Sequence, residues 1–355
     1  MARMYLSGLG TAVPDQRYTK NECWAAFAAS EWYARLNARS HAVAKMVLTR
    51  DNGIEARWLA VESLDEVFAI DPDTLHTRFA AHAPRLAGLA AERALVAAGV
   101  PREALDAVIV STCTGNLCPG LTGYVIELLG LRQDVLAFDL VGQGCGGALP
   151  NWQLASALLD AHHGEHVLSI CVEVCSAAMY LDDDPGVLIS ACLFGDGAGA
   201  AVLSRQAPPN RRHVEWRGTG SLTNPAARDS LRFEHRGGML RNILTRAVPK
   251  MAARHAGEVF STVSERAGLS QDDISAWIFH AGGRDVLLAL QDHLGLSPAE
   301  LHHSRETLRN YGNLSSAFVY FVLESALREN TAGGWWWMSS FGAGFTCHGA
   351  LLKVA

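Results

Sequence analysis

Short apolar runs of strand length alternate with longer segments of helical period along most of the chain. Residues 104–112, 135–140 and 167–172 are almost continuously aliphatic or aromatic and read as buried strands. Between the last two, residues 148–162 are rich in Ala and Leu and helical in period. Residues 76–99 form an Ala-rich helix that Gly99-Val100-Pro101 stops. This strand-helix-strand rhythm predicts parallel sheets covered by helices. It breaks over residues 204–224, where Pro208, Pro209, Asn210, Arg211 and Arg212 precede Gly218 and Gly220. We read that stretch as the join between an N-terminal half, 1–205, and a C-terminal half, 206–355. The rhythm then resumes, predicting a helix at 248–267, a strand at 274–280 and a helix at 284–294. A helix at 315–329 follows, then strands at 335–339 and 346–352. No sequence repeat relates the halves, so a duplication is compatible with the rhythm without being shown by it.

Composition narrows the class. The chain has 355 residues, 49% hydrophobic and 19% charged, enough apolar material for a large core and too much for disorder. A formal net charge of −6 argues against a general nucleic-acid binder while leaving room for a local basic patch. No apolar run reaches the ~18 residues of a membrane span. Met1 to Leu6 lead straight into a strand-like segment without the apolar core of a secretory signal. The eight cysteines have no Cys-x-x-Cys spacing and mostly lie in apolar segments. That predicts no metal site and reduced thiols in a soluble cytoplasmic protein.

Three distant segments carry the chemistry. They are Gly142-Gln143-Gly144-Cys145-Gly146-Gly147, Phe279-His280-Ala281-Gly282-Gly283 and Tyr311-Gly312-Asn313-Leu314-Ser315-Ser316. Each sets one reactive side chain among small residues. Cys145 falls between a strand and a helix, where the helix dipole favours a thiolate and glycines leave room for an acyl group. His280 ends a strand, where α/β sheets meet their ligands. Asn313 stands in a turn before a helix. Taken singly, each also fits an ordinary structural role: a buried thiol, a core histidine, an N-cap. Together a thiol, an imidazole and an amide can carry an acyl group, move protons and stabilise an oxyanion. Phe194-Gly195-Asp196-Gly197-Ala198-Gly199-Ala200 lacks the Lys-Ser/Thr of a phosphate loop and reads as tight packing near the site. Residues 341–346 form another glycine loop, making Phe341 and Gly342 candidates for the wall of a substrate cavity.

Six segments, in order, resemble the type III polyketide synthases, the chalcone and stilbene synthase family. They are Gly8-Leu9-Gly10-Thr11-Ala12-Val13-Pro14, Cys118-Pro119-Gly120 with Leu128-Leu129-Gly130-Leu131, Gln143-Gly144-Cys145, Phe194-Gly195-Asp196-Gly197-Ala198, Trp277-Ile278-Phe279-His280-Ala281-Gly282-Gly283 and Tyr311-Gly312-Asn313. Two positions depart: Ala281 and Ala343 stand where the family usually has proline. The resemblance implies a thiolase-like five-layered α-β-α-β-α fold with two related halves, in a homodimer. It implies loading of an acyl starter from coenzyme A onto Cys145 and extension by decarboxylative Claisen condensation with malonyl-CoA. His280 and Asn313 would hold the thioester oxygen, and the product would close to a pyrone or a phenol. Coenzyme A thioesters serve as substrates and no other cofactor is implied. Cys113, Cys118 and Tyr180 are candidate pocket residues. Lys45, Arg50 and Arg57 are candidates for the coenzyme A phosphates.

The nearest alternative is a β-ketoacyl-acyl-carrier-protein synthase of type III, with one condensation and an acyl carrier protein as partner. Its histidine segment usually reads His-Gln-Ala-Asn, against His280-Ala281-Gly282-Gly283 here. The sequence specifies neither the starter nor the number of extensions.

Overall fold

A computed structural model describes residues 3–209 and 212–355. Met1 and Ala2, ahead of the first strand, and Asn210 and Arg211, in the expected join, lie outside the described residues. The N-terminal portion comprises β1 (Met4–Ala12), β2 (Arg17–Thr19), α1 (Lys20–Ala29), α2 (Glu31–Arg35), α3 (Ala38–Thr49), β3 (Ala56–Trp58) and α4 (Pro72–Ala98). Then come β4 (Ala107–Ser111), α5 (Leu121–Leu129), β5 (Leu136–Leu140), α6 (Ala148–Asp160), β6 (His166–Glu173), α7 (Pro185–Leu193) and β7 (Gly197–Ser204). The remainder comprises β8 (Val214–Thr223), β9 (Leu231–Arg236), β10 (Met239–Leu244), α8 (Val248–Ala267), β11 (Ile274–Phe279), α9 (Arg284–Leu294), α10 (His302–Tyr311), α11 (Phe318–Arg328), β12 (Gly334–Gly342) and β13 (Thr346–Val354).

Local chemistry explains the helix limits. Asp71 caps α4 by accepting from the Thr74 N–H, proline occupies its first turn, and Gly99 ends it at φ +66°. Strands β4 and β6 are nearly continuous apolar runs because both of their faces are covered. In β4, Val108 and Val110 face one core while Ala107 and Ile109 face the other. In β6, Leu168, Ile170 and Val172 face the first core, Val167 and Cys171 the second.

Nine strands form one sheet in the order β11-β12-β13-β8-β1-β7-β6-β4-β5. It is mixed, which corrects the expectation of parallel sheets. Strand β13 follows β12 through a tight turn and so runs back antiparallel on it, and β7, entered through α7, also runs antiparallel to β6. The order β4-β6-β7-β1 runs parallel, antiparallel, antiparallel, and β11-β12-β13-β8 repeats both order and directions. The two arms join where Met4 and Tyr5 pair with Trp216 and Glu215. Helices α4 and α5 cover the first arm, α8 covers the second with α9 packed on it, and α6 and α11 each touch strands of both arms. The layers are therefore α-β-α-β-α. In the middle layer, Trp152 of α6 donates to the Tyr320 hydroxyl of α11 at 3.1 Å.

The stretch 204–224 is not linker throughout, because 214–223 is strand β8. Its glycines look like breakers but serve packing: a Cβ at Gly220 would lie 2.6 Å from Val263 Cγ2 of α8. Two small ladders, β2–β3 and β9–β10, lie outside the main sheet.

Candidate active site

Cys145 sits on a 3-10 turn, Gly144–Gly146, that runs into α6. The opposite arm holds this turn. Ser340 Oγ donates to the Gly146 carbonyl at 3.1 Å. A Cβ at Gly342 would lie 2.3 Å from the Gln143 carbonyl oxygen, so glycine there lets β12 reach the turn. His280 follows β11, is 3% exposed, and packs edge-on against Phe318 at 5.5 Å between ring centres. The Asn313 backbone is clamped by the first arm: its N–H donates to the Leu193 carbonyl at 2.9 Å, and its carbonyl accepts from Gly195 at 3.0 Å. A Cβ at Gly195 would lie 2.4 Å from the Tyr311 carbonyl oxygen. The glycine-rich segment from Phe194 thus serves tight packing beside the site, as the sequence suggested.

The three side chains meet at one point. His280 Nε2 lies 3.2 Å from Asn313 Oδ1, which also accepts from the Ser315 N–H at 2.9 Å. Asn313 Nδ2 gives one proton to the Gly282 carbonyl at 3.2 Å, leaving its second N–H for a ligand. Ser315 Oγ donates to Cys145 Sγ at 3.2 Å and lies 3.2 Å from Cys113 Sγ.

Beneath them Glu173, wholly buried, accepts from the Cys113 N–H at 3.0 Å, the Thr114 hydroxyl at 2.9 Å and the Ser316 hydroxyl. Burial pushes its carboxyl up, against those hydrogen bonds. The Cys113 thiol is raised, first by its hydrogen bond to Cys145 and then by burial and the Glu173 charge. Cys145 is held well below the ordinary thiol value. Its hydrogen bond from Cys113 contributes most, burial opposes it, and His280 and Ser315 assist. The opposite shifts favour Cys145 over Cys113 as the nucleophile, and the Cys113 thiol also donates to Glu173 at 3.4 Å.

A cavity of about 660 Å³ opens onto Cys145, His280, Asn313 and Phe341. Helix α3 lines it with Val43, Met46 and Val47, its i, i+3, i+4 face, and Arg50, the extended residue that caps the helix, lines it too. Lys45 is exposed off that face and does not line the cavity, contrary to expectation. Arg57 needs a stronger correction. It is 7% exposed, and its guanidinium donates to the Ala191 and Phe194 carbonyls at 2.8 and 3.0 Å, holding the end of α7 inside the protein. The cations that do line the cavity are Arg50, Arg246 and Arg284. Arg284 pairs with Asp51 and Asp285, whereas Arg50 and Arg246 have no acidic partner among the described residues.

Tyr180 and Cys113 line a smaller adjoining space of about 30 Å³, which shares Ser190, Phe194 and Asn242 with the main cavity. Gly342 backs the cysteine turn without lining either space. Cys118 is exposed and lines neither. Sequence reasoning gave no role to Ser315, Glu173, Asn242, Arg246 or Arg284. A glutamate inside an apolar strand was the available signal for Glu173, and the Gly237-Gly238 pair was the signal for the β9–β10 hairpin that carries Asn242.

Among the described residues no helix is long and apolar enough to cross a membrane. Residues 66–225 match the family described as FAE1/type III polyketide synthase-like protein, and residues 226–355 match the chalcone and stilbene synthases, C-terminal domain. The 3,5-dihydroxyphenylacetyl-CoA synthase of Streptomyces toyocaensis is 28% identical, over 99% of this chain and 90% of its own. The 1,3,6,8-tetrahydroxynaphthalene synthase of Streptomyces peucetius subsp. caesius is 32% identical, over 76% of this chain and 72% of its own. The crystal structure of PKS-I from the brown alga Ectocarpus siliculosus superposes with a TM-score of 0.92 at 24% identity, covering 100% of this chain and 99% of that one.

Proposed function

This chain belongs to the type III polyketide synthase family, whose members are C–C bond-forming acyltransferases, and from that premise we propose how its residues act. The Cys145 thiolate attacks the carbonyl of a starter thioester, and coenzyme A leaves as a thiol with a proton taken through His280. A malonyl thioester then places its carbonyl oxygen against His280 Nε2–H and the free N–H of Asn313. Loss of carbon dioxide leaves an enolate there. Two preorganised hydrogen bonds stabilise that charge, each by roughly 3 kcal/mol. The enolate carbon attacks the acyl-cysteine carbonyl, a carbon–carbon bond forms, and the Cys145 thiolate is expelled for another round.

The convergence of Cys145, Asn313 and His280 through Ser315 on one cavity floor carries this reading. Arg50, Arg246 and Arg284 at the cavity supply cations for the coenzyme A phosphates. The relatives' names describe hydroxylated aromatic rings, which favours a phenolic product over a pyrone. Exposed Leu136 on edge strand β5, with Leu128 and Val141, supports a homodimer. Eight free thiols suit a reducing cytoplasm. We take the two halves as residues 1–205 and 206–355, with β7 ending the first and β8 opening the second.

Incubation with labelled malonyl-CoA and a panel of acyl-CoA starters, with Cys145→Ala as control, tests the assignment. Products longer by two or more acetate units, absent in the variant, are expected. A single condensation occurring only with malonyl carrier protein would instead assign the chain to the one-step ketoacyl synthases.

A further inference from the structure

Helices α10 and α11 form a hairpin whose connecting turn carries Asn313 and Ser315. Its far ends meet at His302 and His303, opening α10, and Glu329, closing α11. One ligand atom from each of these three residues lies within 4.8 Å of the other two. His302 Nε2 is 3.5 Å from Glu329 Oε2, and His303 Nδ1 is 3.9 Å from the same oxygen. We propose that His302, His303 and Glu329 bind a divalent transition-metal ion of the zinc type, stapling the base of the hairpin that presents Asn313.

The geometry is close to what such an ion requires. Tetrahedral zinc with bonds of 2.0–2.1 Å holds its ligand atoms about 3.3 Å apart. The remaining gaps close by a shift of the Glu329 carboxylate toward His303 and a swing of the His302 ring, side chains that are 43% and 52% exposed. Hydrogen bonds already select the atoms that His303 and Glu329 present. His303 Nε2 lies 2.8 Å from the Thr331 hydroxyl, which accepts its N–H and leaves the Nδ1 lone pair for the metal. Ser325 Oγ, now 3.1 Å from that Nδ1, donates to Glu329 Oε1 at 3.1 Å and leaves Oε2 facing the imidazoles. Two imidazoles and one carboxylate suit Zn²⁺, Ni²⁺ or Cu²⁺ rather than Mg²⁺ or Ca²⁺, which take oxygen ligands. Water completes the shell. None of the three residues lines the catalytic cavity, so the site is independent of the condensation chemistry. It also departs from the expectation of no metal site, which rested on cysteine spacing alone.

The full-length protein is titrated with zinc chloride, and separately with magnesium chloride, by calorimetry and thermal unfolding. Expected are one equivalent of zinc bound with a rise in Tm, no response to magnesium, and affinity weaker by about tenfold or more in both His302→Ala and Glu329→Gln. Cobalt(II) absorption in the wild type distinguishes this site from the thiols, since nitrogen and oxygen ligands give ligand-field bands without thiolate charge transfer. Zinc binding that both variants leave unchanged, a cobalt spectrum that is thiolate only, or no binding at all would overturn the proposal.

Discussion

Helices α6 and α11 hold equivalent places in the repeated strand order, each leading into the middle of its arm, and their leading turns meet. Yet one turn presents a thiol and the other an amide and a hydroxyl. Their support is crossed. The Cys145 turn belongs to the first arm and is held by Ser340 and Gly342 of the second. The Asn313 turn belongs to the second and is held by Leu193 and Gly195 of the first. The repeated strand order supplies two helix N-termini, and crossed bracing makes them one site that neither arm forms alone. The ends of β4 and β11 differ in the same way: one leads to Cys113 above buried Glu173, the other to His280.

The largest effect should come from removing the two unlike groups. Cys145→Ala should lower condensation by about 10³-fold or more, since no other thiolate faces the cavity. Decarboxylation of malonyl-CoA should persist in that variant, because the oxygen-holding donors remain. Asn313→Ala should lower both reactions by about 10²- to 10³-fold. Release of carbon dioxide and product formation, measured in parallel, check the division. Loss of decarboxylation in Cys145→Ala would overturn it.

The crossed braces come next. Gly342→Ala and Gly195→Ala each drive a Cβ to within 2.3 or 2.4 Å of a carbonyl oxygen, so backbone must move. Each should cost about 1–3 kcal/mol of stability. The two should differ in chemistry: Gly342→Ala should slow acyl loading of Cys145, while Gly195→Ala should spare loading and slow decarboxylation. Single-turnover loading and carbon dioxide release separate the two, and identical defects would mean the braces are not specific.

Much of this frame was legible in the chain. The helices at 248–267 and 284–294 follow from their amphipathic period, and the strand at 167–172 from a short continuous apolar run, because a doubly buried strand has no polar face. The three glycine-flanked segments identified the groups that the structure brings together. What escaped lacks periodicity. Strand β8 was hidden by glycines needed for helix packing. Helices α1 to α3 precede the rhythm, and their partly exposed faces blur it. Arg57 went astray because an arginine is ordinarily a surface cation, and nothing local shows that it satisfies helix-end carbonyls instead. Ser315, which bridges Asn313 to both thiols, and Glu173 act through contacts between residues far apart in the chain, which no spacing encodes.

A smaller effect sharpens the comparison at the thiols. Cys145 has its pKa lowered, so its thiolate persists as pH falls well below the ordinary thiol range. The Cys113 hydrogen bond is the largest cause, so Cys113→Ala should raise the Cys145 pKa. Alkylation by iodoacetamide, followed from pH 5 to 9 by mass at Cys145, should then shift to higher pH. At pH 6 the variant should react more slowly than the wild type, and at pH 9 the rates should converge. An unshifted profile would assign the activation to His280 and the helix end alone.

The smallest effect concerns the cavity rim, where the two arms contribute different cations. Arg50 caps the C-terminal end of α3 at the cavity, and Arg246 follows β10. Both are exposed and unpaired among the described residues, so neither gives up an existing partner to meet a phosphate. Exposed pairs are worth about 0.2–1 kcal/mol, so Arg50→Ala and Arg246→Ala should each raise KM for acyl-CoA by up to about fivefold, with kcat unchanged. The increase should shrink at higher salt, as screening weakens exposed ion pairs. Lys45→Ala is the internal control: two residues beyond Val43, it points off the helical face that meets the cavity, and its KM should match the wild type. Equal effects at Lys45 and Arg50 would mean that the cofactor-derived phosphates sit over the outer face of α3 and not at the opening that Arg246 shares.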